Sequence, residues 1–536
     1  MKSKYKKKEL EKFIKKLKTK GVKRNLAERI YTSRLLGNDP EIVLHGGGNT
    51  SLKAEIKLQN KMVKILFVKG SGIDMKYIDE KGFPALELTN LLKLKDLKKI
   101  NDFEMINFQK KYMVNTNFPS PSVETLLHAF LPHKYVDHSH SNAILSLINQ
   151  SNSIKICKRV FANKLAIVPY IMPGYELAKL SHSIYSKYPN CEGLILLNHG
   201  IFTFGNTAKE SYERMIKFIN LAEKELKKNS KKFKIIKCKE KKISSNDLSI
   251  LIKKNINDCK DGILHKKILL FNNPIFLDEL FSHPNLNNFN NIGPVTPDHV
   301  IRIKSFPLIL DFSKVSKNKI ESLLIKKINI FKENYIKYFN KYKHINKKAN
   351  MFDPNPKIIL VKGLGMFSVG TTYKDTKIAM DIGTTALKVF LDSINYGRFK
   401  TIPPKEVFKM EYWPLELAKL KENNKNLKGH VTVITGGVGV LGYATAKKFL
   451  NEGSEIVLID IKNEKDIKLN MQGMSYFKCD ITNFDQIKST FDKIIAKYGG
   501  IDILISNAGL AIHSSLAKLS KKDLDKSFDV NLFGHH

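Results

Sequence analysis

Two histidines one residue apart, His138 and His140, stand in the stretch Val136-Asp137-His138-Ser139-His140. On a strand, alternate residues share a face, so both imidazoles point the same way. Two imidazoles side by side are two-thirds of a three-ligand catalytic metal site, which keeps one position open for substrate. A polar strand face would read the same from this pair alone. A third histidine, His199, shifts the balance: it follows the apolar run 193–197 and precedes Gly200, where backbone can approach closely. Upstream, Ser120-Pro121 is a helix-start signal that places Glu124 in the first turn. A carboxylate there serves the helix dipole or, beside a metal, shuttles protons.

The elements around these residues follow from pattern. An amphipathic helix over 25–36 leads into a strand at 42–44 and then Gly46-Gly47-Gly48-Asn49-Thr50-Ser51. A second strand, 63–68, runs into Lys69-Gly70-Ser71-Gly72. Strands that end in glycines and hydroxyl residues suit a backbone cradle for an oxyanion, and also a plain hairpin turn. Further on come a helix at 144–149, a strand at 165–169 and a long helix at 209–228. The first 23 residues form a basic extension, expected to be a frayed, charged helix.

Gly48-Asn49-Thr50-Ser51, Lys69-Gly70-Ser71-Gly72, Pro121-Ser122-x-Glu124-x3-His128, His138-x-His140-Ser141 and Asn198-His199-Gly200 together resemble the class II aldolase/adducin family, over about residues 25–225. The resemblance implies an α/β fold, an α/β/α domain over 24–228, and a zinc lyase acting on sugar phosphates. It implies His138, His140 and His199 as zinc ligands and Glu124 as catalytic acid/base. It implies Asn49, Ser71, Gly72 and Ser122 as phosphate-binding positions. Val123 stands where several of these aldolases carry a second phosphate-binding serine.

Residues 229–260 are lysine-rich and read as a linker. Beyond it, 197–210 aligns with 362–375 so that glycines, Phe, hydroxyl, Thr, Lys and acid stay in step, while His199 falls opposite Leu364. Residues 261–422 are therefore expected to be a degenerate second aldolase-like unit without a metal. The turn Gly293-Pro294-Val295-Thr296-Pro297-Asp298-His299 is read as structural, although its Asp and His could reach a substrate.

After a polar linker near 423–426 the pattern changes again. The buried-strand run 431–435 leads to Gly436-Gly437-Val438-Gly439-Val440-Leu441-Gly442, a helix, and a strand ending in Asp460. Glycines let a pyrophosphate reach a helix N-terminus, and the acid binds ribose hydroxyls. Asp460 favours NAD, because a carboxylate repels a 2′-phosphate. This region, 428–536, resembles the short-chain dehydrogenase/reductase family, which implies a Rossmann domain with a doubly wound parallel sheet. The glycine positions are Gly436, Gly439 and Gly442, with Leu441 inside the loop. Asp480-Ile481 matches the adenine contact, Asn507-Ala508-Gly509 the Asn-Ala-Gly motif, and Asn531 the active-site asparagine. The family's Tyr-x3-Lys pair would lie beyond His536, so the domain is expected to be partial, inactive as a dehydrogenase and weak for NAD. It is also expected to be mobile or aggregation-prone, with 501–505 as a raw apolar edge. Tyr443-x3-Lys447 has the spacing but sits on the nucleotide-binding helix.

At 536 residues the chain suggests about three domains. The net charge of +40 is almost all Lys; Arg, the usual phosphate and base reader, occurs seven times, so nucleic acid is not an expected partner. Five scattered cysteines fit a reducing compartment. Without a long apolar run or an apolar leader, neither a membrane span nor a secretory signal is expected. The cytoplasm is the default. The domain order resembles bifunctional rhamnulose-1-phosphate aldolase/lactaldehyde dehydrogenases. That implies cleavage of a ketose phosphate to dihydroxyacetone phosphate and an aldehyde, NAD-dependent oxidation of the aldehyde, and a homo-oligomer. A dehydrogenase of a sugar or sugar acid with a merely binding adducin-like part is the other enzymatic reading, and a non-catalytic binding module the third.

Overall fold

The computed structural model describes the chain apart from residues 236–242, 261–262, 285–292 and 421–424, and apart from the side chains of 258–260, 263 and 516. The expected linkers at 229–260 and 423–426 lie partly outside the described residues.

A seven-stranded mixed sheet carries the first unit, in the order Ala85–Glu87, Lys61–Val68, Asn49–Leu58, Tyr135–Ser139, Gly200–Gly205, Gly193–Leu196, Leu165–Val168. The central strand Tyr135–Ser139 is antiparallel to both neighbours, with Asn49 opposite His138 on one side and Phe202 opposite it on the other. All five of its residues are buried, because helices cover both faces. Val136, Phe202 and Phe204 join one core with Leu126, Leu127 and Phe130. Ile195 and Ile201 join the other with Leu145, Ile148 and Tyr212. The period of two therefore sets His138 on the side of Val136 and the helix Thr125–Phe130. Asp137 faces the other way, where Arg29 pairs with it at 2.6 Å, both fully buried. Lys53 ties down the exit of that helix by donating to the carbonyls of His128, Leu131 and His133.

Several local expectations are corrected. The helix Lys7–Lys18 is not frayed: Leu10, Ile14 and Leu17 lie on one stripe and join a core with Ile30 and Tyr31. Residues 42–44 form no strand; Ile42 and Val43 are buried in turns, and the strand starts at Asn49. The helix expected from Ser120 begins at Thr125, because Pro121 is held in a bridge to Gly70. Glu124 is thus the residue before the helix, not part of its first turn. Within the lysine-rich stretch, Ser245–Asn255 is a helix whose Leu248 and Ile252 enter the second unit's core together with Ile256. That i, i+4 spacing was hidden among polar neighbours.

The second unit has a four-stranded sheet in the order Ile268–Asn272, Gly365–Gly370, Ile358–Val361, Leu308–Leu310. Its helix Tyr373–Tyr396 lies against the first unit, and Val389, Phe390 and Leu391 share one core with Leu145, Leu147 and Ile148. The third region is a parallel sheet in the order Met474–Lys478, Glu455–Asp460, Val431–Thr435, Ile503–Ile505. Val433, Val457 and Ile459 face one core, and Ile434, Ile456 and Leu458 the other. Ile268 of the second unit completes the former.

Candidate metal centre and nucleotide loop

His138, His140 and His199 converge. Each offers a ring nitrogen, and these nitrogens lie within 4.8 Å of one another. His138 Nδ1 faces the Ile201 carbonyl at 3.0 Å, which leaves Nε2 free to point inward. His140 Nε2 lies 2.9 Å from it. His199 sits in the turn between strands Gly193–Leu196 and Gly200–Gly205, after Asn198 in the left-handed region at φ 56°. Gly200 is needed there: a Cβ would meet the Ser139 carbonyl at 2.5 Å and both other imidazoles near 3 Å. Burial lowers His138 and His199 to about 4, and His140 well below its usual value. The rings are therefore neutral at pH 7, the form that binds a metal.

Glu124 reaches the same point. One of its oxygens is 3.4 Å from His138 Nε2 and the other 3.5 Å from His199 Nε2. Asn49 Nδ2 donates to Glu124 at 2.7 Å and to Ser122 Oγ at 3.0 Å. Asn49 is itself held by buried His128, which also meets Ser51 Oγ at 2.7 Å. Ser71, Gly72 and Ser122 line the same pocket. Lys69 ties the two glycine loops together, its ammonium donating to the carbonyls of Gly46 at 3.0 Å and Ile73 at 2.7 Å.

The donor set fits a divalent ion. Three neutral imidazoles suit zinc. In addition, Glu124 Oε1 and His199 Nδ1 are buried without a hydrogen-bond partner, which a bound ion with its water or substrate would supply.

The second unit reaches this pocket as well. Asp298, read as structural, lies 3.5 Å from His140 Nδ1. Burial would raise its carboxyl, but His140, His299 and Lys419 hold it well below the usual range. Glu416 and Lys419 complete the wall. The turn 293–299, with its Asp-His pair, was a visible signal for Asp298; Lys419 had none among so many lysines.

In the third region the glycine loop is tightly built. Gly436 has φ 61°, and a Cβ there would meet Ala508 Cα at 2.8 Å; one on Gly442 would meet the Gly436 carbonyl at 2.4 Å. Gly439 caps the helix Val440–Asn451, and Leu441 is exposed at its start. Asp460, at its strand end, accepts from Val438 N at 3.3 Å. Asn507 donates to the Thr435 carbonyl at 3.0 Å, and Ala508 N to Thr435 Oγ1 at 3.1 Å, with Gly509 next in the loop. Asp480 accepts from Thr482 N, and Ile481 is buried behind it. Asn531 exchanges two 2.8 Å bonds with the backbone of Leu510. Tyr443 donates to the Asn470 carbonyl, away from this loop. The expected edge strand is shorter than 501–505, spanning Ile503–Ile505 as the outermost strand.

Comparison with known proteins agrees domain by domain. Residues 27–226 match the class II aldolase and adducin N-terminal domain, 245–420 the second domain of class II aldolase, and 430–536 short chain dehydrogenase. The chain is a class II aldolase–short-chain dehydrogenase fusion. The Bacillus subtilis protein described as an uncharacterized oxidoreductase, YuxG, is 29% identical over 533 residues, covering 95% of this fusion and 76% of its own length. Short chain aldehyde dehydrogenase 1 of Euphorbia lathyris is 32% identical over 118 residues, and the fusion spans 41% of it. The N-terminal class II aldolase domain of a conserved Thermoplasma acidophilum protein is 41% identical, covering 37% of this fusion and 92% of that chain, with a TM-score of 0.36. Class II aldolase domains and a short-chain dehydrogenase domain thus stand in one chain. Among the described residues no helix is long and apolar enough to cross a membrane.

Proposed function

We propose that the fusion cleaves a ketose 1-phosphate of the rhamnulose-1-phosphate kind to dihydroxyacetone phosphate and an aldehyde, and that a complete dehydrogenase domain of this type would couple the cleavage to NAD-dependent oxidation of the aldehyde. The observation that carries the first half is the convergence of three neutral imidazoles with the Glu124 carboxylate. His138, His140 and His199 would hold a zinc-like ion. When bound, such an ion supplies Lewis-acid polarisation of the substrate's carbonyl and hydroxyl oxygens.

The rest is the work of this chain's residues. Cleaving the carbon–carbon bond removes a proton from the hydroxyl that becomes the aldehyde and adds one to the carbon that keeps the ketone. Glu124 is assigned the second transfer, with Asn49 holding its carboxylate in place. Ser71, Gly72 and Ser122 are assigned to the phosphoryl end, and the enclosing loops restrict water. For the second half, the glycine loop is assigned to the pyrophosphate, Asp460 to the adenosine ribose, Asp480-Ile481 to the adenine and Asn531 to the reacting end. The test is elemental analysis of the purified chain with a panel of ketose 1-phosphates, assaying release of dihydroxyacetone phosphate. One metal per chain and cleavage of at least one member are expected. A zinc-replete preparation with no metal at the histidines would end the lyase reading.

A further inference from the structure

The pocket over the three histidines is not closed by the first unit alone. Its far wall is Asp298 from the turn at 296–299, together with Glu416 and Lys419 from the helix Pro414–Leu417 and the residues after it. Opposite stand Asn49, Ser71, Gly72 and Ser122. Gly72 has φ 72°, and a Cβ built on it would lie 3.9 Å from Lys419 Cγ. The lysine stem therefore runs directly over the second glycine loop.

The pocket has one other lysine, Lys69, and it is committed to main-chain carbonyls. Lys419 is held differently: its ammonium meets Glu416, and the other Glu416 oxygen is buried with no hydrogen-bond partner. An unpartnered buried acceptor beside a cation marks a place for a ligand that brings both negative charge and hydroxyls.

We propose that Lys419 is the cation that binds the substrate's phosphoryl group, delivered into the first unit's pocket by the second unit. The inference rests on the carbon–carbon lyase reading for the identity of the anion. It gives the second unit a direct role: a hydroxyl-rich anion bridges the glycine loop and Lys419, drawing the ammonium away from its contact with Glu416. A lysine suits this place as a point charge on a flexible stem.

The test uses the full chain loaded with zinc, titrated calorimetrically with inorganic phosphate, alongside Lys419→Met, Lys419→Arg and Glu416→Gln. Metal content and the fluorescence of the single Trp413 report integrity. Lys419→Met should weaken phosphate about 10- to 100-fold with metal content unchanged. Lys419→Arg should stay within a few-fold, and Glu416→Gln, by freeing the ammonium, should tighten phosphate. Wild-type affinity in Lys419→Met overturns the proposal, and so does weaker binding in Glu416→Gln. The two readings fail separately. Cleavage with an unchanged KM in Lys419→Met removes the proposal and keeps the lyase; Lys419-dependent phosphate binding without cleavage of any ketose phosphate does the reverse.

Discussion

The two aldolase units share a scaffold and differ at the positions that could do chemistry. In the first, the hairpin Gly193–Leu196 and Gly200–Gly205 leads to a helix capped by Thr207. In the second, Ile358–Val361 and Gly365–Gly370 lead to a helix capped by Thr372. Even the side-chain bond recurs: Thr203 donates to the Ser211 carbonyl at 3.0 Å, and Ser368 to the Thr376 carbonyl at 2.9 Å. Strand register then names the substitutions. His138 is opposite Phe202, and Phe271 is opposite the corresponding Phe367. Phe271 thus occupies the place of His138, Asn273 that of His140, and Leu364 that of His199. Two of the three imidazoles have become apolar packing, with Phe271 and Phe367 rings 5.0 Å apart and Leu364 buried, and the third an exposed asparagine. Scaffold and site are separable: the shared hairpin and helix persist where the three histidine positions have changed.

The largest effect expected from this contrast is on the ligands themselves. His138→Ala and His199→Ala should each lose the metal and bring cleavage to background, whereas Leu364→Ala should keep both metal and activity. The leucine change should instead cost about 2–5 kcal/mol of stability, as a truncation in a packed core does. Elemental analysis and denaturation followed in parallel check this, and a Leu364→Ala variant that loses metal would break the contrast. Next comes Glu124→Gln. It keeps the shape and the Asn49 contact but cannot carry the proton. Cleavage should fall roughly 10²- to 10⁴-fold with metal retained; near-normal turnover would reduce Glu124 to a structural charge.

The same contrast explains how much was legible beforehand. The strand period placed His138 and His140 on one face, and the glycine loops flagged both cradles, because those features depend on local backbone geometry. The repeat was legible from one strand-turn-helix, since Thr caps and Phe pairs keep their spacing. What escaped depended on distant packing. Pro121 is drawn into a bridge with Gly70, which delays the helix and moves Glu124 to its threshold. Leu248, Ile252 and Ile256 find their core only once the second sheet exists. Asp298, Glu416 and Lys419 enter the pocket through a shared core, of which neither half announces the other.

Asp298 tests whether the second unit takes part or only packs. Its carboxylate lies 3.5 Å from His140 Nδ1, on the far side of the ring from the Nε2 that faces His138. Asp298→Asn should lower zinc affinity about 10- to 100-fold, the usual cost of losing a partner behind a ligand. Competition with a chromogenic chelator measures it. Unchanged affinity would leave the second unit as a passive wall.

The smallest effect concerns pH and again separates the units. His133, at the entrance to the central strand, stacks on Phe204 with ring centroids 4.0 Å apart. Burial, with Lys53 and Arg214 nearby, lowers it to about 4. By the same register, the second unit has Lys266 and Val369 at the corresponding positions, so it has no imidazole there. A histidine whose folded pKa lies below its unfolded value of about 6.5 is neutral in the fold and charged in the unfolded chain between the two. The unfolded state therefore binds more protons in that window, and stability falls as pH drops from about 6.5 toward 4. His133→Phe should remove this part of the acid sensitivity while keeping the stack. Trp413 provides the probe, because its indole donates to Asp102 of the first unit while its ring lies among Val300, Ile402 and Val407 of the second. Denaturant midpoints read from Trp413 fluorescence at pH 7 and pH 5 should separate for the wild type and draw closer for His133→Phe. Equal separation in both would place the acid sensitivity elsewhere, and the first unit's entrance would then be no more pH-dependent than the second's.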